Sequence, residues 1–277
     1  MGLDPDPAVA GAAFPDAFGA DPAERAGEAI ALWCERVIGQ AGAACVAVKP
    51  QLACFERLGT PGWRALERAV AAARAAGLLL IADGKRGDVP VSAAAYAQGL
   101  IGATPTPWGA VPGLGADAAT VSGFLGADSL APLIEVAAEH GAGLFVLVRT
   151  SNPGAADLLD QPSPSAPFHE RVAALVDSLA PDLAGDALSG LGAVVGATEP
   201  GHIARLRELM PRSVFLLPGV GAQGGRAEAL GDAFSPGPAS AIVAASRSIA
   251  GTPDPGAAAE ELREQVWDVA CHSASSS

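Results

Sequence analysis

The sequence predicts a single (β/α)8 barrel of the TIM-barrel class, and three observations support this prediction. Short apolar runs alternate with alanine-rich helical stretches along most of the chain, and eight strands can be counted, each followed by a helical or helix-length segment. Strict alternation with apolar strands is typical of a parallel sheet covered by helices. A chain of 277 residues, half of them apolar, can bury one core of this size. We therefore predict one domain over residues 1–272 and a disordered tail at 273–277.

The predicted elements follow in order from the N-terminus. The segment from Gly2 to Asp4 counts as the first strand, and Asp21 with Pro22 begins a helix that ends at Gln40. Gly77 ends a second helix that begins at residue 60. The remaining predicted strands are 44–48, 78–82, 118–121, 143–148, 192–195, 213–217 and 241–244. The remaining predicted helices are 93–100, 129–140, 167–179, 199–209 and 255–270.

Charge and hydropathy exclude several classes of function. A net charge of -13, with no cluster of arginines, argues against nucleic acid or an anionic membrane as a partner. The longest apolar runs, such as 144–148, are far shorter than the roughly 20 residues that span a bilayer. No basic segment precedes an apolar stretch at the N-terminus, which predicts a cytoplasmic protein. The four cysteines form no CxxC pair, so no metal site is expected.

One stretch concentrates charge at the end of the third predicted strand. Asp83, Lys85 and Asp88 follow an apolar run at spacings of two and three, and Lys49 ends the preceding strand. Lys49 and Lys85 are the only two lysines of the chain, and arginine supplies every other basic residue. An ammonium can donate a proton, whereas an arginine in a protein cannot. Both lysines therefore indicate chemistry, although an exposed charge cluster at a strand-to-helix turn is the alternative.

A glycine-rich segment after the seventh strand indicates an anion site. All eight strands of such a barrel end at one face, where residues 218–225 and Arg247 are expected. Glycines allow backbone N–H groups to approach a phosphate closely. Residues 219–224 also match GxGxxG, but a dinucleotide site needs an acidic residue after the next strand, where Ser246 and Arg247 stand. A merely structural turn remains the other alternative.

Taken together, these motifs resemble the orotidine 5′-monophosphate decarboxylase family, in its longer bacterial branch. The pattern Asp83-x-Lys85-x-x-Asp88, with Lys49 on the preceding strand, resembles the catalytic tetrad of that family. Several independent motifs in the same order make the resemblance specific and extend it over nearly the whole chain. The other matching segments are 49–56, 150–154, 195–198, 218–224 and 246–247.

The resemblance implies decarboxylation of orotidine 5′-monophosphate to UMP in pyrimidine biosynthesis, with no cofactor and no metal. By this resemblance, Lys85 is expected to protonate C6 of the pyrimidine, and Asp83 is expected to face the substrate carboxylate. Lys49 and Asp88 are expected to complete an alternating chain of charges. The family pattern further implies a homodimer in which Asp88 serves the site of the partner subunit.

The resemblance also implies where the substrate is held. Ser151 is expected at the amide edge of the pyrimidine, and the ribose is expected near Asp4 and Lys49. Phosphate binding after strand seven is expected to close that loop and organise the site. Outside the tetrad, the expected substrate-binding residues are Asp4, Ser92, Ser151, Pro218, Gln223, Gly224, Gly225, Ser246 and Arg247.

Some positions depart from the family pattern. Family members have a complete first strand and a leading helix before the position of Asp4, so both are expected to be incomplete, and Met1 is expected to be an internal codon taken as the start. Gly84 and Pro90 replace residues usual in the family. Arg149 stands where an apolar residue is usual, and it either extends into solvent or offers an extra anion contact.

Three other functions stay open at this point. The first alternative to a decarboxylase of orotidine monophosphate is a diverged paralogue that acts on a related pyrimidine nucleotide in a specialised pathway. A non-catalytic nucleotide-binding protein is a second alternative. A related barrel branch places a metal on the same Asp-x-Lys-x-x-Asp scaffold to act on sugar phosphates, but it needs an acidic ligand on strand two, where this chain has Lys49.

Overall fold

The computed structural model describes residues 1–162 and 166–274, and its elements are those of a (β/α)8 barrel. Eight parallel strands follow one another in chain order, as predicted, and all but the last two of them are separated by α-helices; short 3₁₀ turns lie between those two. The chain forms two compact units, one made of Met1–Gly84 and Ala245–Arg263, the other of Lys85–Ala244 and the stretch from Glu264. The boundary of a single domain at residue 272 stays a prediction.

The strands and helices are numbered in chain order. The strands are β1 (Gly2–Leu3), β2 (Ala47–Pro50), β3 (Leu79–Arg86), β4 (Ala103–Thr106), β5 (Gly109–Pro112), β6 (Ala118–Val121), β7 (Gly143–Arg149), β8 (Ser189–Val195), β9 (Ser213–Pro218) and β10 (Ala241–Ala244). The helices are α1 (Pro7–Ala13), α2 (Pro22–Ala41), α3 (Ala53–Glu56), α4 (Thr60–Ala75), α5 (Pro90–Leu100), α6 (Ala127–His140), α7 (Phe168–Leu179), α8 (Gly201–Leu209), α9 (Arg247–Ala250) and α10 (Pro255–Ala274). Short 3₁₀ turns connect several of them.

The first unit is built on a short parallel sheet. Strand β1 pairs with β2, Gly2 lying opposite Lys49, and β2 pairs with β3, Val48 lying opposite Leu80. The first strand is two residues long, in agreement with the incomplete strand predicted. Helix α2 begins as predicted, because the Asp21 carboxylate accepts the N–H groups of residues 23 and 24 at 2.8 and 2.9 Å. The pairings of β2 with β1 and β3 place Lys49 near the carboxyl end of β2.

The second unit contains the five parallel strands β6 to β10, each paired with the next along the chain. Strands β6 and β10 have the predicted bounds. Strand β3, which carries the charge cluster, extends to Arg86 and is therefore longer than the 78–82 predicted. An antiparallel hairpin of β4 and β5 was not predicted, and Trp108 at its turn is 92% exposed.

The C-terminal boundary also differs from the prediction. Helix α10 continues to Ala274, two residues into the segment predicted as a tail, while residues 275–277 lie outside the described part of the chain. The proline- and serine-rich composition of segment 161–167 predicts a loop, and its residues 163–165 also lie outside the described part of the chain. Within the described residues, no helix combines the length and apolar character of a membrane span.

Candidate active site

In the first unit, Lys49 of β2 and Asp83 of β3 form a buried ion pair between neighbouring strands. The Lys49 Nζ donates to Asp83 Oδ2 at 2.6 Å, and the two side chains are only 10% and 5% exposed. The amide of Gln51 donates to the same oxygen at 3.2 Å. A buried pair of this kind is costly to desolvate and is held only by close geometry. The pairing fixes both charges in place before any ligand arrives.

Two residues beyond Asp83, strand β3 places Lys85 in an unusual backbone conformation. Its φ is +49°, the one positive φ at a non-glycine position among the residues that the structure describes. Such a conformation costs on the order of 1–3 kcal/mol and tends to occur at functional sites. The backbone N–H of Lys85 donates to Thr120 Oγ1 at 2.9 Å, and the side chain of Lys85 is exposed. The predicted acid is therefore accessible and is held by strand β6.

The segment after Lys85 is kept close to the next loop by Gly87. A Cβ at this position would lie 2.8 Å from the Ser122 carbonyl oxygen, so only glycine fits without a shift. The guanidinium of Arg86 lies 5.5 Å from the ring centroid of Tyr96, within range of a cation–π contact. The half-buried Asp88 accepts the N–H of Val89 at 2.7 Å. Arg86, the last residue of β3, therefore contacts helix α5 through Tyr96.

Helix α5 begins at Pro90, directly after the charge cluster. A proline at the first position of a helix loses no hydrogen bond, because that N–H has no partner inside the helix. Ser92 lies in the first turn of α5 and is half-buried. The substitution of Pro90 into the family pattern is therefore accommodated as a helix start.

In the second unit, Ser151 and Gln223 are joined directly. The Ser151 hydroxyl donates to Gln223 Oε1 at 2.8 Å, and Thr198 Oγ1 donates to the Ser151 carbonyl oxygen at 3.1 Å. Gly196 allows this approach, because a Cβ there would lie 2.8 Å from the Ser151 backbone. The structure thus brings together the residue expected at the pyrimidine and one expected at the phosphate.

The glycine-rich loop after β9 folds back on itself. Gly219, Gly221 and Gly224 all have positive φ, at +105°, +78° and +92°. The Gly224 N–H donates to the Gly221 carbonyl at 2.8 Å, and the Gly225 N–H donates to that of Gly219 at 2.9 Å. Pro218, at the end of β9, is half-buried. In this conformation the N–H groups of Gly224 and Gly225 are engaged within the loop, so an anion would reach them only after these bonds are exchanged.

The first unit contains a cavity of about 470 Å³ that includes three of the predicted substrate-binding residues. Asp4 and Arg247 both line it and are exposed, so a carboxylate and a guanidinium face one space. Ser246 also lines it, and Gly2 approaches so closely that a Cβ would collide with the Ser246 hydroxyl. A site for a polar ligand that carries hydroxyl and anionic groups fits this lining.

Arg149 is buried and paired with an acidic side chain of the same chain. It is 6% exposed, so the expectation that it extends into solvent is wrong. Its guanidinium forms a two-pronged pair with Asp160, at 3.0 and 2.8 Å. Hydrogen bonds from Arg149 hold the pKa of the Asp160 carboxyl below its ordinary value. Since its charge is already matched inside the chain, Arg149 is poorly suited to bind a ligand anion.

Three residues near the candidate site were not predicted. Gln51 contacts Asp83, Thr120 contacts the backbone of Lys85, and Asp160 pairs with Arg149. A signal existed for Thr120, a lone hydroxyl in the apolar strand 118–121, and for Gln51, which follows Lys49 by two residues. No group of three histidine, cysteine, aspartate or glutamate side chains within 1–162 and 166–274 has the geometry to hold a metal ion.

Comparisons with known proteins identify the family of this chain. The model of the orotidine 5′-phosphate decarboxylase / HUMPS family matches residues 20–262. The orotidine 5′-phosphate decarboxylase of Deinococcus radiodurans is 46% identical over 209 residues, which are 75% of this chain and 71% of that protein. The sequence relationship therefore includes every strand except β1.

Solved structures give the same result for the fold. The OMP decarboxylase of Leishmania donovani matches with a TM-score of 0.75 and 31% identity, covering 98% of this chain and 92% of the other. The UMP synthase of Leishmania donovani matches with a TM-score of 0.76 and 33% identity. That match covers 97% of this chain but 53% of the longer protein. On these grounds, the chain belongs to the orotidine 5′-phosphate decarboxylase / HUMPS family.

Proposed function

We propose that this protein converts orotidine 5′-monophosphate to UMP in pyrimidine biosynthesis, without a metal or organic cofactor. The observation that carries the proposal is the buried pair of Lys49 and Asp83, followed two residues later by Lys85 in a strained backbone conformation. This combination matches the catalytic pattern of the family. The relatives named as decarboxylases support it at up to 46% identity.

The reaction breaks the bond between C6 and the carboxyl carbon and releases CO₂. The bonding electron pair stays on C6, and the Lys85 ammonium donates a proton to it, after which the lysine regains a proton from water. Lys85 is the suitable acid, because it is one of two ammoniums in a chain that otherwise uses arginine. Fixed charges need no reorganisation when the carbanion forms, and such electrostatic terms are usually the largest contribution to catalysis.

Asp83 acts at the carboxylate end of the substrate. Its position is set by Lys49 at 2.6 Å, so its charge cannot move away when a second carboxylate approaches. Placing two carboxylates close together favours the state in which one has left as neutral CO₂. Lys49 holds Asp83 in place for this role and offers its remaining N–H groups to the ribose. Enzymes lower barriers by about 8–23 kcal/mol, and this unassisted reaction requires the upper part of that range.

The phosphate group of the substrate takes no part in the reaction but supplies binding energy away from C6. We assign it to Gln223, Gly224, Gly225 and Arg247. Binding energy from a non-reacting group can drive closure of a loop that completes the site. The intraloop bonds of Gly224 and Gly225 support a binding step in which those bonds are exchanged for bonds to phosphate oxygens. Release of the Ser151 hydroxyl from Gln223 in that step would free it for the pyrimidine amide.

The family model also covers a sugar-phosphate branch, and Lys49 separates the two chemistries. A divalent metal prefers carboxylate and other oxygen ligands. Here the position on strand β2 is an ammonium, and it neutralises the carboxylate of Asp83 at 2.6 Å. This arrangement favours decarboxylation of a nucleotide over metal-assisted chemistry.

We further propose a cytoplasmic homodimer in which Asp88 completes the neighbouring site. Lys85→Ala and Asp88→Ala proteins, each inactive alone, test this when they are mixed and allowed to exchange subunits. Random exchange makes about half of the dimers hybrid, and each hybrid has one intact site, so about a quarter of the wild-type activity should return. If no activity returns although exchange is complete, Asp88 serves its own subunit.

The proposed activity is tested with purified protein and orotidine 5′-monophosphate. Loss of substrate absorbance is followed, and UMP is identified by chromatography, with and without EDTA. Turnover that is unchanged by EDTA supports the proposal, whereas turnover abolished by EDTA supports the metal-dependent branch. Tight UMP binding without turnover would instead show a nucleotide-binding protein, and turnover confined to a related pyrimidine nucleotide would show a diverged paralogue.

A further inference from the structure

The conformation of Lys85 depends on a contact that crosses from one strand to another. Residues with positive φ are uncommon outside glycine, and the side chain of lysine offers no local hydrogen bond that favours this region. At Lys85 the N–H group meets the hydroxyl oxygen of Thr120 at 2.9 Å. Thr120 is 1% exposed and lies in the fully buried strand β6. The acceptor is therefore fixed, while the residue that it holds is strained.

The threonine side chain is well suited to this task. A β-branched residue has few χ1 rotamers in a strand, so the position of its hydroxyl is determined by the backbone of β6. A hydrogen bond in a buried environment is electrostatically stronger than one in water. Loss of the acceptor would leave the N–H of Lys85 without this partner and remove a constraint on the φ angle of that residue.

A small change of φ at Lys85 has a large effect at the end of its side chain. The Nζ atom of an extended lysine lies about 6 Å from Cα, so a rotation of about 30° displaces it by up to roughly 3 Å. Misplacement of a catalytic group by about 1 Å can cost about 100-fold in rate. The backbone conformation is therefore a direct determinant of where the ammonium is presented.

We propose that Thr120 is a positioning residue, whose hydroxyl holds the backbone of Lys85 in its left-handed conformation and so aims the ammonium at C6 of the substrate. This inference rests on the proposed decarboxylase function. Thr120 itself takes no part in binding or proton transfer. Its effect is on the chemical step and not on substrate affinity.

The first test replaces Thr120 with valine, which keeps the shape of the side chain but removes the hydroxyl. We expect Thr120→Val to lower kcat about 10- to 100-fold while KM and the affinity for UMP change less than about threefold. Thr120→Ser retains the hydroxyl and is expected to keep kcat within about threefold of wild type. Valine retaining full kcat would overturn the proposal, and so would serine losing as much as valine.

A matched control separates this effect from loss of a buried hydroxyl in general. The Ser189 hydroxyl accepts the N–H of Leu191 at 3.0 Å and is 2% exposed, but it lies at the start of β8. Ser189→Ala is expected to lower thermal stability without lowering kcat. An equal fall of kcat in both variants would indicate a general structural effect and would contradict the proposal.

A second measurement does not depend on activity. Because Lys49 and Lys85 are the only lysines, protein labelled with ¹⁵N-lysine gives two backbone amide signals. The Lys49 N–H donates to the Met1 carbonyl at 2.8 Å and serves as an internal reference. Thr120→Val should accelerate hydrogen exchange at Lys85 at least about tenfold relative to Lys49. Unchanged exchange at Lys85 would overturn the proposal. If the wild-type protein has no turnover, the proposed function fails, and this exchange measurement still decides whether Thr120 holds Lys85.

Discussion

Breaking the ion pair of Lys49 and Asp83 should destabilise the protein as well as inactivate it. In Lys49→Met the side chain keeps its length but loses its charge, which leaves the 5% exposed carboxylate of Asp83 without its ammonium. Removing one partner of a buried pair costs about 3–5 kcal/mol. Gln51 still donates to the carboxylate, so we expect the lower end, about 3 kcal/mol. For a chain of this size that corresponds to a fall in Tm of about 6–12 °C.

A double variant tests whether the cost arises from the unpaired charge. Lys49→Met combined with Asp83→Leu removes both charges, and replacing a buried pair with apolar groups is often close to neutral. The double variant should therefore be more stable than Lys49→Met, although it remains inactive. The assay is thermal unfolding followed by circular dichroism at pH 7.5.

Arg263→Ala provides the matched control. Its pair with Glu260 is about half exposed, with side chains 48% and 49% accessible, so its loss should lower Tm far less than the loss of Lys49 does. A Tm of Lys49→Met close to that of Arg263→Ala would refute the reasoning. A double variant less stable than the single would refute it as well, because the two charges would then not be coupled.

Three further predictions concern other parts of the chain. Arg247→Ala should raise KM for orotidine monophosphate about 10- to 100-fold in steady-state assays, because the proposed charge-assisted contact to phosphate is lost. An unchanged KM would show that Arg247 is not part of the site. Arg149→Met should lower the free energy of unfolding, measured in urea, by about 2 kcal/mol. This is less than for a fully buried pair, because Asp160 is 27% exposed. An unchanged free energy of unfolding would show that the pair does not stabilise the protein. The pKa of His202 is lowered from its ordinary 6.5, mainly by burial and then by the charge of His169. Arg149 lowers this pKa further, whereas the carboxylates of Asp160 and Glu199 raise it. The unfolded chain then binds more protons below pH 6.5, so stability falls as the pH drops through that range, and His202→Asn should reduce this fall in Tm between pH 7 and 5.

The fold could be predicted largely because apolar runs and glycine stops mark its elements. Strand 118–121 is bounded by Asp117 and Ser122, and its ends, like those of 241–244, were found correctly. Strand β3 was predicted too short because its last four residues are charged or glycine, and their extension is determined by pairing and not by hydropathy. The hairpin of β4 and β5 was missed, since its strands are short, mostly exposed and contain proline.

The candidate site could be predicted where residue type and strand position coincide. Lys49 lies near the end of β2 and Asp83 follows the apolar part of β3, and the pairing of these parallel strands brings the two charges together, as the ion pair shows. The environment of Arg149 could not be predicted, because its partner Asp160 comes from a loop eleven residues away with no periodic signal. The role of Thr120 depends on the φ angle of Lys85, a property that no residue pattern specifies.

The central claim is that Lys85 supplies the proton in decarboxylation of orotidine 5′-monophosphate. A single-turnover measurement of UMP formation, with wild-type and Lys85→Ala proteins at saturating substrate, tests it most directly. We expect UMP from the wild-type protein and at least about a 10⁴-fold slower rate from the variant, which should still fold and bind UMP. A variant rate within tenfold of wild type, or no UMP from the wild-type protein, would contradict the account.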